Sequence, residues 1–438
     1  MPNAGLEDAK FMKKYIPLIL VEGYLIGSLL VFYFGPVVFK IYNDLIFSIL
    51  LLLYHGFFIL GYWVSTKTSR KIELKISRLF SPTLYYMSFF IGLVGIFSMY
   101  NNLMFTSSFS PYEYYDNLIR GFLEPGSVYA ERMISMQGGV TSDSRLFNIA
   151  SIFFSFLKLL FIFQSVYFWK QLGLFKKSLA VVYSFLFIST GITAGVNSVV
   201  FIYFIFLISS ILATLYIRDY VHLRRVLIVC VILVLLPISS FGHIMSQRGG
   251  GFEYFSDTAS LGDISVSGET PNLQEGSLAD FFYYTFVWLD YYVVQGYYGF
   301  SLILDLDHIW TFGFGNSAFL QRQLLLLSDI DISELTFQHR ISQYWHESGQ
   351  WHSFYGQFAN DFGLFGLTAF MFFLGYYLSK VWVSIIYKNS FYGAALIPIF
   401  MLMFIFFPAN NQVFGYIDTL SYFIFVSVLW ISEDKQVR

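Results

Sequence analysis

The hydrophobic positions of this chain come in long blocks. Ten runs, at about residues 15–37, 43–64, 83–105, 147–168, 178–195, 198–217, 226–245, 362–379, 391–408 and 416–432, are apolar almost throughout. Each approaches the roughly 20 residues that a helix needs to cross ~30 Å of hydrocarbon. The pattern predicts an all-α polytopic membrane protein of about 10 transmembrane helices (10–12), forming a single integral membrane domain over 1–438. The first run follows Lys10, Lys13 and Lys14 and has no small-residue cleavage site after it. It therefore reads as a signal anchor.

Polar positions gather in two long segments, 106–146 and 246–361. The second starts with Gly249-Gly250-Gly251 and continues through a Gly-, Ser- and acid-rich stretch from Ser256 to Asp280. Inside it, 281–304 is apolar but crowded with Tyr and Trp, as membrane interfaces are. One crossing there would invert the orientation of everything that follows. The stretch is therefore expected to be a re-entrant or interfacial helix, with a pair of crossings in this loop as the alternative.

Composition agrees with a membrane fold: 56% of residues are hydrophobic and 12% charged, against about 25% charged in a soluble domain. The net charge of -2 leaves no basic field for nucleic acid. The single Cys230 excludes an intrachain disulfide and a multi-Cys metal site. Sorted by segment, the charges say more. If the N-terminus is cytoplasmic, 18 of the 26 basic residues fall inside, in clusters at Lys10–Lys14, Lys67–Arg78, Lys170–Lys177, Arg218–Arg225, Lys380–Lys388 and Lys435–Arg438. Outside lie 21 of the 28 acids and only Lys40, Arg120, Arg132, Arg145, Arg248, Arg322 and Arg340. The positive-inside rule thus puts both termini in the cytoplasm, with the two long segments as outer loops.

Candidate chemistry sits in the second loop. Arginine offers a planar fork of donors suited to phosphate or carboxylate oxygens, although outer arginines can equally be surface ion pairs among acids. Arg248 stands where a span meets the glycine run, and Arg340 stands in a histidine-rich segment. That segment, 337–366, holds His339, His346 and His352 with Glu347 and Asp361. Imidazole can take a proton from a hydroxyl near neutral pH. Hydrogen bonding at the interface is the other reading. Zinc ligation lacks the His-Glu-x-x-His spacing, so no metal is expected. Asp305-Leu306-Asp307 and Asp329-Ile330-Asp331 could hold a divalent ion, but so short a pattern arises by chance in an acid-rich loop. Within the spans, Glu22 and Lys158 are expected to form a mutual ion pair joining the first and fourth helices. The aromatic side chains of the outer segments suit stacking on sugar rings, or anchoring at the interface.

Two short elements carry a family resemblance. His352 precedes Asp361 by nine residues, and Asp361 leads through Gly363 and Gly366 into a span; upstream stands Trp310-Thr311-Phe312-Gly313-Phe314-Gly315. With the many spans and the large outer loop before the last few, the chain resembles the superfamily of O-antigen polymerases (Wzy) and O-antigen ligases. Asp361 is expected to cap the helix at its N-terminus, and the glycines to let it pack closely. His352 would then lie at the level of the lipid phosphates. The resemblance implies a GT-C-like fold in the bacterial inner membrane with the active site facing the periplasm. It also implies inverting, metal-independent and cofactor-free transfer of a growing glycan from undecaprenyl pyrophosphate to a lipid-linked repeat unit. In that reading His352 is the base. Arg248, Arg340 and Arg322 stabilise the departing pyrophosphate, and His339, His346, Asp361, Gly363 and Gly366 support the site. Membrane lipids and a chain-length regulator protein are the implied partners. A ligase using a lipid A–core acceptor, a transferase using a polyprenyl-monophosphate sugar, and a transporter of lipid-linked glycans are the alternatives. The nearly apolar spans speak against the transporter.

Overall fold

The apolar blocks fold as helices, and the described parts of the polar segments add shorter ones. A computed structural model of the chain describes residues 13–68, 80–106, 109–137, 152–217, 223–248, 264–266, 277–347 and 349–436. In chain order these hold α1 (Ile16–Phe34), strand β1 (Val37–Phe39), α2 (Asp44–Thr68), α3 (Pro82–Met104), α4 (Pro111–Leu123), α5 (Pro125–Gln137), α6 (Phe156–Tyr167) and α7 (Leu174–Thr193). After them come α8 (Asn197–Ile217), α9 (Leu223–Arg248), strand β2 (Ile264–Val266), α10 (Leu278–Ser301) and α11 (Ala318–Ser328). The chain ends with α12 (Phe337–Arg340), α13 (Phe354–Lys388), α14 (Phe391–Phe406) and α15 (Ile417–Gln436). Much of the charge pattern that orients the chain, including Lys10, Arg70 to Arg78, Arg145, Arg218 and Arg438, lies outside the described residues, as do Gly249 to Gly251.

Among the described residues, 7 helices are long and apolar enough to cross a membrane: α1, α2, α3, α7, α8, α9 and α13. The other three predicted spans are helices as well. Two of them, 152–167 and 391–406, are apolar but shorter, and α15 carries Asp418 and Glu433. Local chemistry sets many helix starts. Pro82 and Pro111 stand in first turns, where a missing N–H leaves no bond unmade. Ser81 and Ser110 before them accept from the backbone N–H of Leu84 and Glu113.

The tightest crossing joins α2 and α13. A Cβ on Gly61 would stand 1.9 Å from the Phe372 carbonyl oxygen, and one on Gly375 would stand 2.1 Å from that of Phe58. Glycine lets the two backbones touch, as in other helix pairs packed in lipid. The ion pair expected between Glu22 and Lys158 does not form. Glu22 on α1 meets His55 on α2 at 2.7 Å, and the far side of that imidazole meets the Tyr355 hydroxyl at 3.1 Å. Lys158 on α6 pairs instead with Asp418 on α15. Helix order in the sequence does not set helix neighbours: α6 packs on α3, α8 and α15, so each charge pairs with the polar group that packing brings nearest.

The Tyr-rich stretch 281–304 forms α10, one unbroken helix of 24 residues. Tyr284 donates to the Met245 carbonyl near the end of α9, and Asp290 accepts from the Val37 N–H at 2.9 Å. Tyr297 bonds Ser28 on α1 at 3.0 Å, and Phe300 packs on Phe47 and Tyr54 of α2. It thus runs as a single helix from the end of α9 past β1 to α1 and α2, with no turn inside it. β1 pairs antiparallel with β2, Val37 opposite Val266 and Phe39 opposite Ile264. This small ladder ties the α1–α2 connection to the second polar segment.

One boundary differs from the reading of the sequence. The span expected from 362 starts at Phe354, where Ser353 caps it by accepting from the Gly356 N–H at 3.3 Å. The helix is then broken at Gly363, whose φ of 67° and ψ of 170° are open to glycine and strained for other residues. Asp361 therefore does not cap the N-terminus of this helix. It lies two turns inside, just before the break.

Candidate functional site

Four segments converge around the start of α13: the end of α10, the turn 308–317, the stretch 333–353 and the α14–α15 connection. Gly296 is the meeting point, because a Cβ there would come within 2.6 Å of Pro408 O, Ser353 N and Ala409 O. Ser353 donates its N–H to the Gly296 carbonyl at 3.3 Å, and Phe354 donates to Phe407 O at 3.0 Å.

The turn is held by one side chain. Asp361 Oδ1 accepts from the Thr311 hydroxyl at 2.5 Å, Gly313 N–H at 2.8 Å and Gly315 N–H at 3.2 Å. Its Oδ2 accepts from Asn316 twice, from the backbone N–H at 3.0 Å and from Nδ2 at 2.6 Å. Successive N–H groups turned inward form a concave nest for an anion, and here the anion is the chain's own carboxylate. The two halves of the motif that carried the family resemblance are thus bonded to each other. Asn360 extends the clasp: Nδ2 donates to Gly315 O at 3.0 Å and to Gln338 Oε1 at 2.7 Å, while Oδ1 accepts from Phe337 N–H at 2.8 Å. Its carbonyl accepts from the His308 ring, which lies beside Gly363.

Beside this clasp opens a cleft of about 270 Å³. Five carboxamides line it, those of Gln321, Gln338, Gln350, Gln357 and Asn410, along with Ser333, Thr336, Trp351, Tyr416, Glu347 and His352. Several amides are fixed through one end only. Gln338 spends its oxygen on Asn360, and its Nε2 has no partner. Gln350 accepts from the Tyr291 hydroxyl at 2.8 Å. Gln357 Nε2 bridges the His352 carbonyl and Asn410 Oδ1. Groups that both donate and accept, set among aromatic faces, suit a ligand rich in hydroxyls.

His352 is the buried member of this wall. It is 4% exposed, because Ser353 and Phe354 bond to Gly296 and Phe407 and carry the histidine inward with them. Burial pushes its pKa down to about 3, since loss of hydration disfavours the charged imidazolium. Its Nε2 is buried and unpartnered. A neutral imidazole with a free ring nitrogen in a polar cleft can accept from, or donate to, a ligand hydroxyl.

The other predicted site residues are scattered. His339 is exposed and meets Glu347 at 3.3 Å; His346 is exposed too. Arg340 donates through Nη1 to the Asp307 carbonyl at 2.6 Å and lies over the Phe337 ring, two residues beyond the cleft-lining Gln338. Arg322 is exposed on α11. The side chain of Arg248 lies outside the described residues. Gly366 has ordinary room, with Phe362 Cβ 3.5 Å from a notional Cβ. Asp305 and Asp307 are not joined to the second D-x-D triplet: Asp305 accepts from Asn43, and Asp331 accepts from the hydroxyl and N–H of Ser333, which together with nearby His339 hold the Asp331 pKa down. Among the described residues no three of His, Cys, Asp and Glu converge as metal ligands would.

The amides were missed in the sequence. A signal for them existed, because Asn410-Asn411-Gln412 interrupts two apolar blocks with three consecutive carboxamides. Arg132 was missed as well. Its Nε donates to Leu103 O at 3.0 Å, and burial lowers its pKa while the nearby phenols Tyr129 and Tyr416 oppose that. Tyr416 lines the cleft, so a cation from the first polar segment stands near it. No family model matches this chain, and no curated protein or solved structure matches it either.

Proposed function

We propose that the chain is a polysaccharide repeat-unit polymerase of the O-antigen or capsule type. In this reading it is a multi-pass protein of the bacterial cytoplasmic membrane with about ten crossings, both termini inside, a GT-C-like arrangement and the cleft on the outer face. It transfers a growing glycan from undecaprenyl pyrophosphate to a sugar hydroxyl of a lipid-linked repeat unit, with inversion and without metal or cofactor. The observation that carries the reading is the unpartnered Nε2 of buried His352 in an amide- and aromatic-lined cleft at one end of an apolar helix bundle.

The chemistry follows from that nitrogen. His352 Nε2 takes the proton of the acceptor hydroxyl as its oxygen attacks the anomeric carbon of the donor. The bond from that carbon to the pyrophosphate oxygen breaks, and its electron pair leaves with the pyrophosphate. The base form is present at every ordinary pH because burial keeps the ring neutral. Negative charge growing on the departing pyrophosphate raises the proton affinity of a nearby imidazole, so the base strengthens as the reaction needs it. Arg340, beside the cleft through α12, is the phosphate partner of choice, with Arg248 at the end of α9. Their task is electrostatic stabilisation of the leaving group. Asp361, Gly363 and Gly366 support by shaping the wall, while His339 and His346 lie at its exposed side.

The test is the surface-glycan ladder of a strain deleted for this chain and complemented with variants. The deletion is expected to leave single repeat units attached to the core, and the intact chain to restore long chains. Absence of every attached unit would indicate a ligase, and an unchanged ladder would overturn the reading.

A further inference from the structure

The helix α11 differs from every neighbour. Its sequence, AFLQRQLLLLS, is mostly apolar, yet none of its 11 residues is buried. Leu325 and Leu326 are exposed, and Leu327 is 67% exposed. A lone helix of this length is marginal in water, and bare leucines at its end add to the difficulty. Something apolar must cover it.

The surroundings identify that cover. The turn clasped by Asp361 carries Trp310 and Phe312, stacked with ring centroids 5.3 Å apart and 60% and 67% exposed. Directly after Asp361, at the head of the membrane-crossing α13, Phe362 and Phe365 face outward, the latter 79% exposed. An outward phenylalanine on a crossing helix faces lipid, so the Trp310–Phe312 pair continues a lipid-facing surface, and α11 starts six residues beyond Phe312. On α11 itself Arg322 and Leu326, four residues apart, share one exposed face. A basic residue beside leucines is the pattern of a helix lying in the headgroup plane, cation at the phosphates and apolar side chains among the acyl chains.

We propose that α11 is an in-plane membrane anchor: Leu325, Leu326 and Leu327 enter the outer acyl layer beside Trp310 and Phe312, and Arg322 binds lipid headgroup phosphate. Asp329 and Asp331 end the inserted stretch at the water side. Ala318 and Gln321 on the first turn line the cleft, so the anchor fixes one cleft wall at the height of the lipid headgroups. Arg322 thereby serves the bilayer and not a ligand in the cleft. The inference rests on the membrane fold alone and stands whether or not the chain is a polymerase.

Site-directed spin labelling of the full chain in vesicles of phosphatidylethanolamine and phosphatidylglycerol tests it. In a Cys230→Ser background, nitroxides go at Leu326→Cys, Leu327→Cys, Phe365→Cys as the lipid standard and Glu334→Cys as the water standard. Labels at 326 and 327 are expected to match 365, with high accessibility to oxygen and low accessibility to a water-soluble nickel chelate. Adding Arg322→Glu is expected to raise the nickel accessibility at 326 at least twofold. Labels at 326 and 327 that match 334 would overturn the proposal. So would labels shielded from both reagents in a manner that changes with protein-to-lipid ratio, which would indicate a second copy as the cover.

Discussion

Asp361 and His352 lie nine residues apart in one segment, both are buried, and the structure treats them in opposite ways. Asp361 accepts five hydrogen bonds from the turn 311–316. His352 has a buried ring nitrogen with no partner at all. A buried polar group without a partner costs about 1–3 kcal/mol, and selection for stability alone would pair it or replace it. A saturated carboxylate, in contrast, has no lone pair left for a ligand. The first is therefore a structural clasp and the second keeps a ring nitrogen unspent, although the sequence presents them as parts of one motif.

The largest expected effect comes from breaking the clasp. Asp361→Ala leaves the N–H groups of Gly313, Gly315 and Asn316 with no acceptor, and destabilisation on the order of 3–5 kcal/mol is expected, as for other buried partners removed singly. Thermal unfolding in detergent, or loss of the monodisperse peak, measures it. A variant as stable as the parent would show that the turn finds its acceptors elsewhere.

His352→Gln should do the reverse. The substitution is close in volume, removes no hydrogen bond of the ring Nε2, and is expected to leave stability within about 1 kcal/mol. Turnover should fall by roughly 10²–10⁴, the usual contribution of a general base. The pH profile sharpens this point. With the pKa held near 3, kcat/KM of the parent should lack an acid limb around 6.5. A limb at that pH belonging to His352 would mean that the working site is wet.

The division between clasp and cleft was only half legible in the sequence. Hydropathy found the helices because an apolar block states its own environment. It misplaced the start of α13, since Gln357, Asn360 and Asp361 face the cleft and the clasp and dilute the apolar average. Spacing found Asp361 and His352, but the donors to Asp361 come from residues 45–50 positions upstream, and no local pattern shows them. The same holds for Glu22 and Lys158, whose partners His55 and Asp418 are set by helix packing. Arginine drew attention by its charge, yet the described wall of the cleft holds five amides, which carry none, and no arginine.

A third buried titratable group refines the contrast. Asp290 on α10 has one donor, the Val37 N–H, and its Oδ1 has none. Burial therefore pushes its pKa up to about 7. Because the folded pKa lies above the unfolded one, near 4, this group's contribution to stability is greatest below about pH 4. It declines as pH rises toward 7 and is level beyond. Three pKa units correspond to about 4 kcal/mol, an upper bound for this slope. Asp290→Asn keeps an acceptor for Val37 and should remove this slope, making the variant the more stable protein at pH 8 and the equal of the parent at pH 4. Identical pH–stability curves would mean that Asp290 is solvated.

The smallest effect is expected where the amide wall touches the clasp. Gln338 lines the cleft, gives its oxygen to Asn360 and leaves its buried Nε2 without a partner. Gln338→Ala removes one acceptor from Asn360, which keeps Gly315 O, so stability should drop by only about 1 kcal/mol. It also removes one donor from the cleft. If that donor binds a substrate hydroxyl equally in the ground and transition states, KM for the lipid-linked acceptor rises about five- to tenfold and kcat holds. A fall in kcat at constant KM would instead assign Gln338 to the transition state, and the amide wall would then belong with His352 in the chemistry and not only in recognition.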